Sequence, residues 1–302
     1  MIELFKEAHF DFIGKRMFFF VLSGIATLLG CFAVVQIGRG VANLGVDFAG
    51  GTSIALRFEK PIDIGLARVA LSENGLGDAE LQEVVAENKL FVRIRKSGQG
   101  QMDKKMADLM TKAYPGNPFV VESSTEIGPK IGKKLQDDAL IAIMISMLGI
   151  IFYIAVRFEF QFGIAAALAI FHDVLVLLGV FYLLDKEITL LFVTALLTIA
   201  GYSLSDTVVL FDRVRENLKQ GKRDPFPKII NDAINQTLSR TFNTSFSTLL
   251  AVLALFFFGG EVIHDFAFAM VLGIIVGTYS SWFIASSLLI VLRRDASHFK
   301  KA

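Results

Sequence analysis

Gly45-Val-Asp-Phe-Ala-Gly-Gly-Thr-Ser-Ile-Ala-Leu-Arg-Phe58 sets one carboxylate and a glycine pair between a long apolar run and a stretch of alternating residues. A glycine pair followed by a helix would point to a phosphate cradle, because the first amides of a helix bind anions. Here the alternation from Thr52 to Phe58 predicts a strand, and no lysine stands where a phosphate would need one. Gly50 and Gly51 are therefore expected to form a structural joint, permitting a tight turn or a close backbone approach. Asp47 is expected to cap that turn or to bond a neighbouring amide. With a nucleotide fold set aside, the apolar sequence on either side decides the fold class.

The chain has 302 residues, 54% of them hydrophobic, and its 29 phenylalanines concentrate in uncharged runs. A mean hydropathy of +0.58 is too high for an ordinary soluble enzyme. A bilayer core takes about 17–25 apolar residues per helix. Six such spans are predicted, at 17–37, 140–156, 162–184, 188–210, 242–258 and 266–292. The second and fifth are short in strictly apolar residues, so their helices are expected to begin earlier, in more polar sequence. Leu28-Leu-Gly-Cys31 has the look of a lipoprotein cleavage box, but the apolar run continues through Ile37, which favours an uncleaved helix. The single cysteine, Cys31, excludes an intramolecular disulfide framework.

Basic residues near the helix ends set the expected orientation. Lys6, Lys15, Arg16, Arg157, the cluster from Arg213 to Lys228 (with Arg215, Lys219, Lys222 and Arg223), and Arg293, Arg294, Lys300 and Lys301 fall on one side. The two short loops on the other side hold only Lys186. Both termini are thus expected in the cytoplasm, with a large domain outside, periplasmic or extracellular. The predicted division is a cytoplasmic segment 1–16, a transmembrane helix 17–37, an outside domain 38–134, a bundle of transmembrane helices over 135–292, and a cytoplasmic tail 293–302.

Within the outside domain, strands are predicted at 52–58, 79–86, 89–96 and 119–123, and helices at 61–74 and 101–114. Their order, βαββαβ, is the ferredoxin-like α+β arrangement. The domain has no phosphate-binding loop, no clustered His/Cys metal spacing and no nucleophile–base pair. Binding or moving a partner is the active reading of this domain, and a passive spacer is the bland one.

Charges at membrane depth are costly and tend to face a protein interior or an aqueous path. Asp206 lies in Gly201-Tyr-Ser-Leu-Ser-Asp-Thr207, where Thr194, Thr198, Gly201, Tyr202 and Ser205 form a small polar stripe expected to point into the bundle. Arg240 begins a matching stripe through Thr244, Ser247 and Thr248. At about 1.5 Å per residue, Asp206 lies about 27 Å from Ile188 and Arg240 about 27 Å from Phe258, so the two charges are level. They form either a static pair that fixes helix register or a proton-responsive pair. Burial disfavours the charged carboxylate, and a near guanidinium favours it. Asp173, beside His172 in a continuous apolar helix, is either a relay or a structural hydrogen-bonding group, and His172 is the weaker candidate. Tyr202 and Ser205 share that description as relay or packing residues. Gly273, Gly277 and Ser281 recur every four residues with Ala269 and Ala285, a ridge for close helix packing. Glu261, His264 and Asp265 are either solvated or line a proton entrance.

Four segments together resemble motifs of the SecD/SecF family of bacterial protein-export membrane proteins. They are Val46-Asp-Phe-Ala-Gly-Gly-Thr52, Phe171-His-Asp-Val174, Leu238-Ser-Arg-Thr-Phe-Asn-Thr-Ser245, and the block from Gly201 to Arg215-Glu-Asn217. The resemblance covers nearly the whole chain and implies a six-helix half of the resistance–nodulation–division type. It implies a SecD partner, association with the SecYEG channel, and use of the proton gradient to complete export of unfolded preprotein across the inner membrane. Asp206 then matches the family's proton-coupling acid and Arg240 its interacting arginine; Asp173 is a weaker match. A carboxylate serves protons or sodium ions equally. No enzyme activity, cofactor, metal or nucleic-acid partner is expected. Two other readings remain: a small-molecule efflux transporter subunit, and a passive scaffold of the channel.

Overall fold

The computed structural model describes residues 9–94, 102–220 and 224–299. Lys6, Lys222, Arg223, Lys300 and Lys301, used above for orientation, and the expected strand and helix ends at 95–96 and 101 lie outside the described residues. The chain divides into two compact units, a helical bundle and an inserted α+β unit over Leu44–Ile141.

Helix α1 spans Arg16–Gly38 and the short α2 spans Val46–Ala49. The α+β unit continues with β1 (Gly51–Phe58), α3 (Ile64–Glu73), β2 (Glu80–Val84), β3 (Lys89–Ile94), α4 (Met102–Ala113) and β4 (Phe119–Ile127). The strands form one antiparallel sheet in the order β2-β3-β1-β4, which is the ferredoxin-like topology expected from the element order. Asp63 caps α3 by accepting a hydrogen bond from the Gly65 amide at 2.9 Å. Asn88, in the left-handed region at φ 51°, closes the link from β2 to β3. Alternation aims Ile54, Leu56, Phe58, Leu90, Val92 and Ile94 at Ala67 and Leu71 of α3 and at Met106 and Met110 of α4. Each large side chain so buried contributes about 1.5–3 kcal/mol.

The opposite face of the sheet is polar. Glu122 falls where the β1–β4 register shifts, between the pairs Ala55–Ser123 and Leu56–Val121. The bulged residue bridges Arg57 and the buried Lys89, whose ammonium lies 3.2 Å from Glu122 and 2.5 Å from Glu87.

At the joint, β1 starts at Gly51, so a strand and not a helix follows the glycine pair. Gly50 has φ +71° and Gly51 φ 125°, conformations that side chains rarely adopt. A Cβ on Gly50 would lie 3.0 Å from Pro129 Cα, and one on Gly132 would lie 3.0 Å from both Gly50 N and Phe48 O. The loop from Asp47 to Gly51 thus packs backbone to backbone on the residues that open the next helix.

The remaining helices are α5 (Pro129–Arg157), α6 (Phe160–Leu183), α7 (Leu190–Lys219), α8 (Phe226–Phe258), α9 (Glu261–Ser280) and α10 (Ser286–Phe299), with a π turn at Ser281–Ala285 joining the last two. Among the described residues six helices are long and apolar enough to cross a membrane. The second begins at Pro129 and the fifth at Phe226, both in polar sequence ahead of their apolar runs. Thr189 caps α7 by accepting from the Phe192 amide at 3.2 Å, and Pro225 precedes α8, whose first turn holds Pro227.

Small residues set the helix crossings. Gly30 of α1 meets the Leu175 backbone of α6, and a Cβ on Gly179 would lie 2.9 Å from Gly30 N. On α9, Gly273 lies against Ile199 and Gly277 against Ser203 of α7. The aromatic cluster Phe158, Phe162 and Phe211 packs with Ile230, Ile234 and Leu289 in the bundle core. The apolar windows of α6 and the last span are 61% buried and that of α7 50%, whereas those of α5 and α8 are 11% buried, so the inner helices are the ones that can carry polar chemistry away from lipid.

Candidate functional site

Asp173 on α6 is fully buried. Its Oδ2 accepts from Ser203 Oγ of α7 at 2.5 Å and from Ser280 Oγ of α9 at 2.8 Å. Its Oδ1 lies 2.9 Å from His172 Nδ1, while the buried His172 Nε2 has no hydrogen-bond partner among the described residues. A carboxylate held by three donors from three helices is well satisfied for a group removed from water.

Asp206, also buried, is held far more loosely. Ser245 Oγ of α8 lies 3.4 Å from its Oδ2. Ser245 in turn meets Thr278 Oγ1 of α9 at 2.8 Å and receives a hydrogen bond from Tyr202 at 3.2 Å. Beside Asp206, Thr207 Oγ1 contacts Ser281 Oγ at 2.9 Å, and Ser281 also bonds the Gly277 carbonyl at 3.0 Å.

The geometry brings Asp206 and Arg240 near one another without closing an ion pair. Among the described residues no ion pair within 4.0 Å joins them, although the guanidinium is close enough for its charge to act on the carboxylate. Arg240 opens instead onto a groove of about 670 Å³ between α5, α7 and α8, with Arg157, Asp212, Arg213, Glu216 and Gln236. Arg157 pairs there with Asp212 at 2.8 Å, and Arg213 with Glu216 at 2.6 Å and Gln236 at 2.7 Å. The groove can accommodate movement of the Arg240 side chain.

One expectation is corrected. The stripe of Thr194, Thr198, Gly201 and Ser205 does not point into this bundle; all four residues are exposed. Thr194 and Thr198 donate to the carbonyls of Leu190 and Thr194, one turn back, at 3.0 and 2.8 Å. A hydroxyl satisfied on its own helix can face an apolar medium, so polarity alone does not reveal the buried side. The stripe on α8 behaves likewise, with Thr244 and Ser247 exposed and bonded to their own helix. The face of α7 turned inward carries Ser203, Asp206 and Thr207. Tyr202 sits at the border of the two faces and reaches Ser245, whereas Ser205 stays on the uncovered side.

Sequence reasoning missed Ser203, Ser245, Thr278 and Ser280. A signal existed for two of them: Ser203 precedes Asp206 by three residues and Ser280 follows Gly277 by three, so each shares a face with a residue already singled out. Lys186 pairs with Asp265 at 2.5 Å, and His264 lies 3.5 Å from the same carboxylate, so these form a local ionic cluster at the start of α9.

The class these features define is a polytopic helical membrane protein: a six-span bundle with two buried carboxylates, into which a ferredoxin-like unit is inserted. Residues 91–295 match the family described as protein export membrane protein SecD/SecF, C-terminal, and residues 42–62 match the SecD/SecF GG motif, which contains the Gly50–Gly51 joint. The chain is 49% identical over 301 residues to the protein translocase subunit SecF of Thermodesulfovibrio yellowstonii, covering 98% of this chain and 99% of that one. It is 41% identical to the subunit of the same name from Calditerrivibrio nitroreducens, covering 97% of each. The crystal structure of SecDF, a translocon-associated membrane protein from Thermus thermophilus, superimposes with a TM-score of 0.84 at 34% identity, over 95% of this chain and 39% of that one. A SecDF crystal structure in a super-membrane-facing form gives 0.70 at 35% identity, over 98% of this chain and 41% of that one. This chain therefore spans about two fifths of the SecDF chains. It belongs to the SecD/SecF family of protein export membrane proteins.

Proposed function

We propose that this chain is an auxiliary subunit of the Sec preprotein translocase in the bacterial inner membrane. It works with a SecD partner at the SecYEG channel and uses the proton-motive force to promote late-stage export of unfolded preprotein. The observation that carries the coupling is the contrast between the two carboxylates. Asp173 is held by three donors, whereas Asp206 has one long hydroxyl contact and an arginine nearby that is not paired with it. A buried acid in that state gains or loses a proton, or a sodium ion, according to where Arg240 lies. Movement of Arg240 between the groove and Asp206 would tie ion exchange to the positions of α7 and α8.

The uncovered polar stripes of α7 and α8 support the partner. Small and hydroxyl residues on a lipid-depth face suit close approach by another helix, and similarity to SecDF chains of more than twice this length favours a second bundle as that neighbour. In this reading both termini are cytoplasmic. The domain running from about residue 38 to 134 is periplasmic and moves preprotein, 17–37 and 135–292 hold the spans, and 293–302 is a cytoplasmic tail. The work is mechanical coupling and makes no covalent chemistry. Replacement of the chromosomal copy by Asp206→Asn or Arg240→Met tests it: accumulation of uncleaved preprotein at normal levels of assembled complex is expected. Export at the unmutated level in both strains would favour the passive scaffold.

A further inference from the structure

Residues 10–13 cross the foot of α8 before α1 begins, and two asparagines one turn apart on α8 hold them by the backbone. Asn235 Oδ1 accepts from the Phe10 amide at 2.9 Å, and its Nδ2 donates to Phe10 O at 2.9 Å. Asn231 Nδ2 donates to the same carbonyl at 2.9 Å, and its Oδ1 accepts from the Phe12 and Ile13 amides at 2.9 and 3.3 Å. This strap is anchored on its other side as well. Asp11 Oδ1 accepts from the Gly14 amide at 2.7 Å and closes the turn into α1. The Phe12 ring lies 5.8 Å from Trp282 and 5.5 Å from Phe283 of the π turn, and Ile13 is buried with Ile230, Ile234 and Leu289. The start of α1 is bound to the same π turn, with the Phe19 and Phe283 rings 3.7 Å apart. The strap therefore ties α8 to the block formed by α1 and the π turn.

All the buried residues of α8 except Val252 lie between Ile229 and Ser245, so the helix is gripped at its foot while its apolar run is largely uncovered. Apolar packing is non-directional and lets packed helices slide by small amounts. Directional contacts oppose such slides. At the foot of α8 they include Gln236, which accepts from Arg213 and Asn217 of α7, and the five bonds to the strap. α8 has no glycine, and no proline after Pro227, so nothing hinges it between the strap and the ion site. Arg240 lies about 8 Å and Ser245 about 15 Å along the axis from Asn235. Ser245 is the hydroxyl that contacts Asp206, and Arg240 is the charged group that acts on it among the described residues. Tyr202, bonded to Ser245, is the other titratable side chain there. A slide or rotation of the foot thus reaches both α8 groups at the site.

We propose that the Phe10–Ile13 strap sets the height and rotation of α8, which makes Asn231 and Asn235 positioning residues for the ion step, acting through Arg240 and Ser245. The inference rests on Asp206 being the coupling acid. At 100° per residue, Asn231 and Asn235 lie about 180° and 140° round α8 from Arg240. The strap therefore grips the back of the helix and leaves the groove in front of Arg240 open. Neither asparagine carries charge, so releasing the strap changes the site by moving α8.

The test is pH-difference infrared spectroscopy of the full chain in lipid vesicles, reading the carbonyl band that Asp206→Asn removes. In the double variant Asn231→Ala, Asn235→Ala the midpoint of that band moves by about half a pH unit or more, about a threefold change in proton affinity. Phe12→Ala, which withdraws the strap from the π turn, moves it in the same sense. Leu56→Ala, which loosens the α+β core instead, leaves it in place. In a background of Arg240→Met and Ser245→Ala, releasing the strap no longer moves the midpoint, because both groups through which it acts are gone. A midpoint unchanged in the double asparagine variant, or one that still moves in that background, overturns the inference and leaves the export role of Asp206 to its own test. Loss of no band in Asp206→Asn overturns it together with that reading.

Discussion

Gly277→Ala ties the packing of the bundle to its chemistry. The new Cβ would sit 3.1 Å from Ser203 Cβ and 3.4 Å from Ser203 Oγ, so α7 and α9 must separate by a few tenths of an ångström. Ser203 is the residue that holds Asp173 at 2.5 Å, and the displacement falls on that bond. Overpacking costs about 1–3 kcal/mol, and weakening a hydrogen bond to a charged group adds part of its worth of about 1.5–3 kcal/mol. Against this, alanine favours a helix interior over glycine by about 1 kcal/mol. The balance is a loss of about 1–3 kcal/mol. Gly149→Ala on α5 is the matched control, because no atom lies within 4 Å of its added Cβ and only the helix gain remains. Reversible unfolding of the full chain in mixed micelles should therefore rank Gly149→Ala above Gly277→Ala by about 2 kcal/mol or more. Equal stability of the two variants, or a more stable Gly277→Ala, would refute the close α7–α9 approach.

Leu56→Ala empties the fully buried centre of the α+β core, and urea unfolding should show a loss of about 2–5 kcal/mol. Tyr114 donates its phenol hydrogen to Asp63 O at 2.6 Å, and burial holds its pKa above the ordinary value of 10.0. The folded state thus favours the neutral phenol: its contribution is complete below pH 10.0 and is lost as pH rises through the higher folded-state value. Tyr114→Phe should cost about 1 kcal/mol at neutral pH and flatten the alkaline decline in chemical denaturation. Glu122→Gln removes a carboxylate charge 3.2 Å from the buried Lys89 ammonium, and equilibrium unfolding should register a loss of about 1–2 kcal/mol. Ser245→Ala removes the hydroxyl that joins Asp206, Tyr202 and Thr278; gradient-stimulated export should fall, though by less than in Asp206→Asn.

The six spans and the ferredoxin-like unit were legible because each rests on a period or a length: apolar runs match a bilayer, and alternation from Thr52 to Phe58 matches a sheet with one covered face. Gly50 and Gly51 were legible for the same reason, since a strand and not a helix follows them. The facing of α7 was not legible. Thr194, Thr198 and Ser205 have the polarity of an interior stripe, yet threonine and serine can satisfy themselves on the preceding turn, so their presence does not say which way they face. Asp173 stood out as a charge in an apolar helix, but its partners Ser203 and Ser280 come from helices 30 and 107 residues away along the chain. The π turn at Ser281–Ala285 has no periodic signature, because one widened turn shifts the register without changing composition.

The most direct measurement is the ratio of preprotein completion rates with and without an imposed proton gradient, in vesicles holding the channel, the SecD partner and this chain. The unmutated chain should give a ratio well above one, and Asp206→Asn a ratio of one at unchanged complex assembly. A ratio in Asp206→Asn equal to that of the unmutated chain would contradict coupling through Asp206.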